Sequence, residues 1–134
     1  MDPNRNKLIV RDYAEAFSRG DLDAVCRCFA PDAVVYGVLG WGELAKAKPI
    51  WESLMRSFRI RLRIESMIAE GDTVAVRYTE SGEFVAEFRG TAPTGRKYEL
   101  LAMEWFEVGE QGIRRRWGAR DSAAMFRQLG IPLS

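Results

Sequence analysis

From Phe58 to Trp117 apolar side chains return at almost every second position, and no other feature restricts the fold as tightly. A period of two is that of a strand with one buried and one solvated face. Ile60, Leu62, Ile64 and Ile68 alternate with Arg59, Arg61, Arg63 and Glu65. After the turn Glu70-Gly71-Asp72, residues Val74, Val76, Tyr78, Gly82, Phe84, Ala86 and Phe88 all keep even numbers. That parity is unbroken, so the pattern predicts one long strand that can bend at Gly82. Gly90 to Gly95 is dense in turn formers. Tyr98 to Val108 alternates again, with Tyr98, Leu100, Ala102, Phe106 and Val108 on one face and Leu101, Met103 and Trp105 on the other. Gly109-Glu110-Gln111-Gly112 reads as a hairpin loop that pairs Val108 with Ile113. This register sets Glu104 opposite Trp117 and diagonal to Arg115, and Leu100 opposite Asp121. Glu104, Arg115 and Asp121 then share one face, and Glu80 has the matching parity on the long strand.

The flanking segments carry the helical period instead. Leu8, Ile9, Tyr13, Ala16 and Phe17 predict a helix over residues 4–19, ended by Gly20. Leu22, Val25 and Phe29 predict a second over 21–29, with Asp21 as its cap and Pro31 as its stop. Ala33 to Gly37 is a short β-prone run, followed by a loop in which Gly37, Gly40 and Gly42 surround Trp41. Leu44, Ala47, Trp51, Leu54 and Phe58 predict a third helix, with Pro49 kinking it or marking its first turn. Ala124, Met125 and Leu129 belong to a closing helix stopped by Gly130. Helices, then a meander, then one helix form an α+β pattern. The expected architecture is a cone: a curved antiparallel sheet wrapped around the N-terminal helices and enclosing a cavity, in one domain over 1–134.

Composition narrows the chemistry. With 134 residues, 20 Lys and Arg against 19 Asp and Glu, the formal charge is +1, which gives no basis for non-specific nucleic-acid binding. No apolar run approaches the ~18 residues of a membrane span, and MDPNRNK lacks a signal-peptide core; the chain reads as cytoplasmic. There is no histidine, and the two cysteines, Cys26 and Cys28, are two apart on a helix, where side chains do not face each other. Zinc sites and imidazole-based mechanisms are therefore excluded. GxGxxG and P-loop fingerprints are absent. Any chemistry must use carboxylates, Arg, Lys, Tyr or the thiols.

Four segments, EAFSRGDLDAV, IAEGDTVAVRYTESGEF, FRGTAPTGRKY and GIRRRWGARDSAAMFRQLG, occur in this order over nearly the whole chain. Together with the D-x6-QLG ending from Asp121 to Gly130, they make the chain resemble the SnoaL-like polyketide cyclases, or ester cyclases, of the nuclear transport factor 2-like superfamily. The resemblance implies a cofactor-free enzyme in which Asp121 is the acid/base of an intramolecular aldol condensation. Two positions depart from the family pattern: Glu83-Phe84 stands where a Thr-His pair is frequent, and Arg115 where Glu is common.

Asp121 thus has two readings, a helix N-cap and a base desolvated beside Trp117. The residues expected to line the cavity are Tyr36, Trp41, Trp51, Tyr78, Glu80, Phe84, Glu104, Arg115 and Trp117, with Tyr36 or Tyr78 donating to an enolate. The ligand is expected to be a small hydrophobic carbonyl compound, with no metal and no cofactor. A non-catalytic binder or dimerisation domain of the same fold is the alternative, and an epoxide-hydrolase-like Asp-Arg-Asp set fits poorly. The Leu101, Met103 and Trp105 face predicts a homodimer.

Overall fold

The computed structural model describes residues 2–37 and 40–132; the side chain of Trp41 is also outside the described part. Helices α1 (Pro3–Ser18) and α2 (Leu22–Arg27) form the N-terminal pair, each capped by an aspartate, Asp2 and Asp21. Strands β1 (Phe29–Gly37) and β2 (Gly40–Glu43) follow, then α3 (Leu44–Phe58), which holds Pro49 in its interior. Strands β3 (Arg61–Glu70), β4 (Thr73–Glu83), β5 (Lys97–Gly109) and β6 (Gly112–Arg120) lead to α4 (Ser122–Leu129). Among the described residues no helix is long and apolar enough to cross a membrane.

The six strands form one sheet in the order β2-β1-β6-β5-β4-β3. Period-two burial along β5 sends every even residue inward, and the helices cover that side. Tyr13, on the apolar stripe of α1, meets Phe106 of β5 at 5.3 Å and Phe29 of β1 at 5.8 Å between ring centres. Trp51 of α3 packs on Phe29 at 5.5 Å and on Phe17 at 6.1 Å. These T-shaped and tilted contacts anchor both helices to the concave face of a curved, open sheet.

Leu8 and Ile68, expected on buried faces, are exposed, the latter past a register shift between Ile64 and Ser66, and Phe29, expected to end the second helix, opens β1. Three larger expectations also need correction. The sheet is mixed, because β1 runs parallel to β6 and extends the short β-prone run back to Phe29. The long even-numbered strand ends at Glu83. Beyond it the chain turns in, with Phe84 N–H donating to Arg96 C=O at 2.9 Å and Val85 N–H to Ser57 C=O at 2.8 Å. Phe84 and Phe88 stay apolar because they pack on Phe58, at 5.3 and 4.8 Å, so parity persists where the ladder does not. Third, Val108 pairs with Ile113 as expected, but Glu107 pairs with Arg115. Arg114 is the extra residue of a β-bulge, and every later residue of β6 faces the side opposite to the one its number predicts.

The closing D-x6-QLG stretch is a docking device. Asp121 caps α4, Leu129 is fully buried, and Gly130 ends the helix at φ 75°. Pairing between β5 and β6 stops at Ala102–Arg120. Beyond that point the Gln128 amide serves as a surrogate strand for Glu99, accepting from its N–H at 2.9 Å and donating to its C=O at 3.1 Å. Gln128→Ala should lose about 1–2 kcal/mol of stability in chemical denaturation, for two partly solvated hydrogen bonds; Gln128→Glu, which keeps only the acceptor, should fall between.

Candidate active site

Between α3, α1 and the concave side of the sheet lies a cavity with about 110 Å³ open to the centres of water molecules. One water needs ~10–15 Å³ by the same measure, so the space suits a small organic ligand. Phe17, Val35, Ile50, Trp51, Leu54 and Leu62 give it an apolar body. Two polar clusters project into it from the inward positions of β4, β5 and β6.

The first cluster centres on Glu104. Its Oε2 accepts from Arg116 Nε and Nη2, each at 2.5 Å, and from the Tyr13 hydroxyl at 2.9 Å. The other oxygen, Oε1, and the hydroxyl of Tyr78 are both buried and neither makes a hydrogen bond of ordinary length, although Tyr78 is close enough to Glu104 for a weak one between the two side chains. Burial first, then the charge of Glu104, pushes the ionisation of Tyr13 and Tyr78 well above the ordinary phenol range. Burial alone would weaken the charge on Arg116, but Glu104 beside it raises its affinity for the proton further. The Arg116 guanidinium also lies 5.8 Å above the Trp51 ring.

The second cluster centres on Glu80. Arg120 Nε donates to Oε1 at 2.9 Å, Arg120 Nη2 bonds Oε2, and the Tyr98 hydroxyl donates to Oε2 at 2.5 Å. Arg120 Nη2 also approaches Met125 Sδ of α4 at 3.0 Å. Every carboxylate oxygen here is occupied from within the protein. Its carboxylate is closed, and the cluster ties the sheet to α4; the Glu104 cluster, also on the cavity lining, keeps one buried oxygen without an ordinary hydrogen bond.

A glycine makes the open cluster possible. Gly118 stands opposite Glu104 on β6, and a Cβ there would lie 2.7 Å from Arg116 Nη2 and 2.9 Å from Cζ. The guanidinium reaches Glu104 across the space that a side chain would fill.

Of the residues expected at the site, Trp51, Tyr78, Glu80 and Glu104 line the cavity. Asp121 does not: its carboxylate is exposed and accepts from Ala124 N–H at 2.9 Å as the N-cap of α4. The bulge at Arg114 turns Arg115 outward, 3.4 Å from Glu107, and puts Arg116 in its place. Trp117 is likewise turned to the outer face, stacked on Tyr36 at 5.3 Å and 5°. Phe84 is fully buried in the aromatic cluster around Phe58 instead of at the cavity wall. Trp41 lies outside the described side chains. Sequence reasoning missed Tyr13, Lys46, Tyr98, Arg116, Gly118 and Arg120. Tyr13 reads as plain helix core, and both arginines are hidden by the register slip. Among the described residues no group of three or more His, Cys, Asp or Glu is placed to hold a metal.

A curved open sheet closed by helices over such a cavity is a nuclear transport factor 2-like fold, of the kind found in ketosteroid-isomerase-like proteins. Within that class the chain belongs to the SnoaL-like polyketide cyclase family, whose profile matches residues 7–129. It is 30% identical to aklanonic acid methyl ester cyclase AcmA of Streptomyces galilaeus over 130 residues, which cover 92% of this chain and 89% of AcmA. Among solved structures it is similar to a polyketide cyclase candidate of Xanthomonas campestris, at 26% identity and a TM-score of 0.87 over 95% of this chain and 98% of that one. IdmH of Streptomyces antibioticus, another polyketide cyclase candidate, is 25% identical with a TM-score of 0.82, over 95% and 99% of the two chains.

Two outcomes test this geometry. Gly118→Ala should displace the Arg116 guanidinium and lower stability by about 1–3 kcal/mol, since it disturbs a nearly buried ion pair; unchanged stability together with an unmoved Arg116 in a crystal structure would refute the close-approach argument. Tyr13, Tyr78 and Tyr98 should develop no phenolate absorbance until the protein unfolds at alkaline pH, because burial and the adjacent carboxylates raise all three. Their folded values exceed the unfolded value of about 10, so the stability they contribute is complete below that pH and is lost as pH rises above it.

Proposed function

We propose that the protein is a cofactor-independent cyclase or isomerase of a hydrophobic carbonyl compound, with Glu104 as its acid/base. The observation that supports this reading is that two cavity-lining residues, Glu104 and Tyr78, each keep a buried polar atom, Oε1 and the hydroxyl, with no ordinary hydrogen bond. A buried acceptor and a buried donor without ordinary partners each cost free energy; a carbonyl oxygen would take the Tyr78 hydroxyl, and the α-hydrogen of the same compound would then face Glu104 Oε1. Glu104 Oε1 takes the proton from the α-carbon, and the Tyr78 hydroxyl donates to the oxygen on which the enolate charge develops. The enolate carbon then forms a bond to a second carbonyl carbon of the same molecule. The resulting alkoxide takes the proton back from Glu104, so the reaction is a net isomerisation that consumes nothing. Arg116 and Tyr13 hold Oε2, which fixes the carboxylate so that Oε1 is its reactive oxygen.

The relative's name makes aklanonic acid methyl ester a reasonable first assay substrate. Glu104→Gln removes the base but also leaves the nearly buried Arg116 without its counter-charge, so with folding first checked by circular dichroism, turnover should drop by roughly 10²–10⁴-fold; Tyr78→Phe, which leaves that pair intact, should lower kcat by a smaller factor. Asp121→Asn should keep full activity and nearly full stability, because Asn caps a helix about as well as Asp. Turnover lost in Asp121→Asn and kept in Glu104→Gln would return the proton transfer to the carboxylate at the cap. Binding without turnover in every variant, wild type included, would favour a ligand-binding module.

We also propose a homodimer formed through the outer face of the sheet. Helices cover the inner face only, and Leu101, Met103 and Trp105 remain 54%, 49% and 52% exposed. Ladder pairing places Ile68, Ala75, Trp105, Trp117 and Tyr36 in one row across five strands. Such a band is large for a free surface, and two copies related by a two-fold axis would cover each other. Light scattering at micromolar concentration should give a dimer for the wild type and a monomer for Trp105→Glu; a wild-type monomer would end this reading.

A further inference from the structure

An intramolecular aldol closure develops negative charge on two oxygens in turn, that of the enolate and that of the alkoxide, and Tyr78 serves only the first. Three cations line the cavity: Lys46, Arg116 and Arg120. Lys46 is exposed in the first turn of α3, which the acidic Glu43 precedes. Arg116 directs Nε and Nη2 to Glu104 and Nη1 to the Tyr36 C=O. Arg120 alone combines a fixed side chain with a free donor. Glu80 holds the Nε–Nη2 edge of its planar guanidinium, and Nη2 also reaches Met125 Sδ. Nη1, on the opposite edge, makes no hydrogen bond among the described residues. The side chain keeps 18% exposure, and the space it lines is the cavity. Asp121, the next residue, is exposed and turned to Ala124 N–H as the cap of α4.

Strand register places this donor. Tyr78 pairs with Ala102 and Ala102 with Arg120, so Tyr78 and Arg120 share one row, about 9–10 Å apart at the backbone. Glu104 stands one inward step along β5 from Ala102, about 7 Å away, opposite Gly118. Ala102 and Gly118 are therefore the small floor between the three polar groups, and both line the cavity. Burial by itself weakens the hold of Arg120 on its proton, but Glu80 beside it raises that hold above the ordinary guanidinium. Arg120 can thus donate hydrogen bonds without giving up the proton.

We infer that Arg120 is a further catalytic residue, whose Nη1 binds the oxygen of the second carbonyl and stabilises the alkoxide formed when the ring closes. As the enolate carbon bonds to that carbonyl carbon, the C=O π pair moves onto the oxygen, and the hydrogen bond from Nη1 strengthens with the growing charge. The alkoxide then receives the proton that Glu104 removed, and Arg120 ends as it began. The inference rests on the reaction proposed at Glu104 and names its electrophile site. The matching substrate class is a neutral dicarbonyl compound, ester or ketone at either place, because both anchors ask for a carbonyl oxygen and neither for a charge. A simple double-bond shift has no second carbonyl to bind, so Arg120 selects cyclisation over isomerisation.

The test separates proton abstraction from ring closure. Aklanonic acid methyl ester, the assay substrate already proposed, is incubated with the whole chain in D2O. Deuterium in the recovered substrate and the amount of cyclised isomer are measured after chromatography, each above the rate without protein. Arg120→Lys keeps a cation for Glu80 but has no second planar arm. Glu80→Gln combined with Arg120→Gln removes both charges together, so neither is left buried alone. With folding checked by circular dichroism, both variants should close the ring about 10²-fold more slowly or worse, as for loss of one oxyanion donor. Exchange should persist at or above the wild-type level, because an enolate that cannot close is reprotonated. Closure at the wild-type rate in either variant overturns the inference, and so does a parallel loss of exchange and closure. Exchange without closure in the wild type also overturns it and leaves the proton transfer at Glu104 intact. Neither exchange nor closure in the wild type overturns the proposed reaction itself, and the inference with it.

Discussion

Glu104 and Arg116 are both nearly buried, and removing two charges from water costs several kcal/mol per ion unless each finds its partner. Most of the architecture around them serves that pairing. β5 supplies the carboxylate on its inward face, β6 must offer an arginine on the same side, and α1 must bring Tyr13 within 2.9 Å. The bulge at Arg114 decides which arginine meets the second requirement and what stands beside it. Without the extra residue Arg115 would point inward at the same diagonal to Glu104, but Trp117 instead of Gly118 would stand opposite Glu104 and fill the space that the guanidinium crosses. With it, Arg114 and Arg115 go outward to Asp72 and Glu107, where exposed ion pairs cost and contribute little. One inserted residue therefore sorts three consecutive arginines into one structural cation and two surface ones.

The two Glu–Arg–Tyr clusters look alike and do different work. In the Glu80 cluster both carboxylate oxygens are occupied by Arg120 and Tyr98, and the arginine continues to Met125 of the closing helix. A carboxylate satisfied on both oxygens in low dielectric rigidifies its surroundings and has no acceptor left for a ligand. In the Glu104 cluster three donors converge on one oxygen, so the other is oriented but empty. The carboxylate is held in one orientation by groups on one of its oxygens, and the other oxygen keeps lone pairs that no ordinary hydrogen bond uses.

Periodicity made the scaffold legible. The stripe of α3, most of that of α1, the existence of four long strands, the Val108–Ile113 hairpin and the outward Leu101–Met103–Trp105 face follow from which residues are apolar at which spacing; Leu8 on α1 and Ile68, turned outward past the register shift between Ile64 and Ser66, do not. Trp51, Tyr78, Glu80 and Glu104 were placed at the cavity for the same reason, since three of them keep the inward parity of unbulged strands. What parity cannot carry is a change of phase. A bulge leaves no compositional mark in Ile113-Arg114-Arg115-Arg116-Trp117, so Arg115 and Trp117 were assigned inward and Arg116 and Arg120 outward. β2 is four residues long with two glycines and one paired neighbour, too short to show a period. Phe84 kept its parity for packing on Phe58 and not for a ladder.

Asp121 shows how a recognisable motif and the lining of the cavity can separate. The stretch from Asp121 to Gly130 makes the chain identifiable, yet each of its fixed residues has a mechanical task here: a cap, a surrogate strand, a core anchor and a helix stop. Those tasks are the same for any substrate, because they attach α4 to the end of β5 whatever the cavity holds. Polar residues that line the cavity instead occupy positions scattered over five elements, Tyr13, Lys46, Tyr78, Glu104 and Arg116, where no local pattern links them. A substitution at one of these changes the cavity without altering the fold's signature. Family membership therefore transmits the cone and its closing helix, while the polar lining of the cavity is set by which side chains the bulged register turns inward.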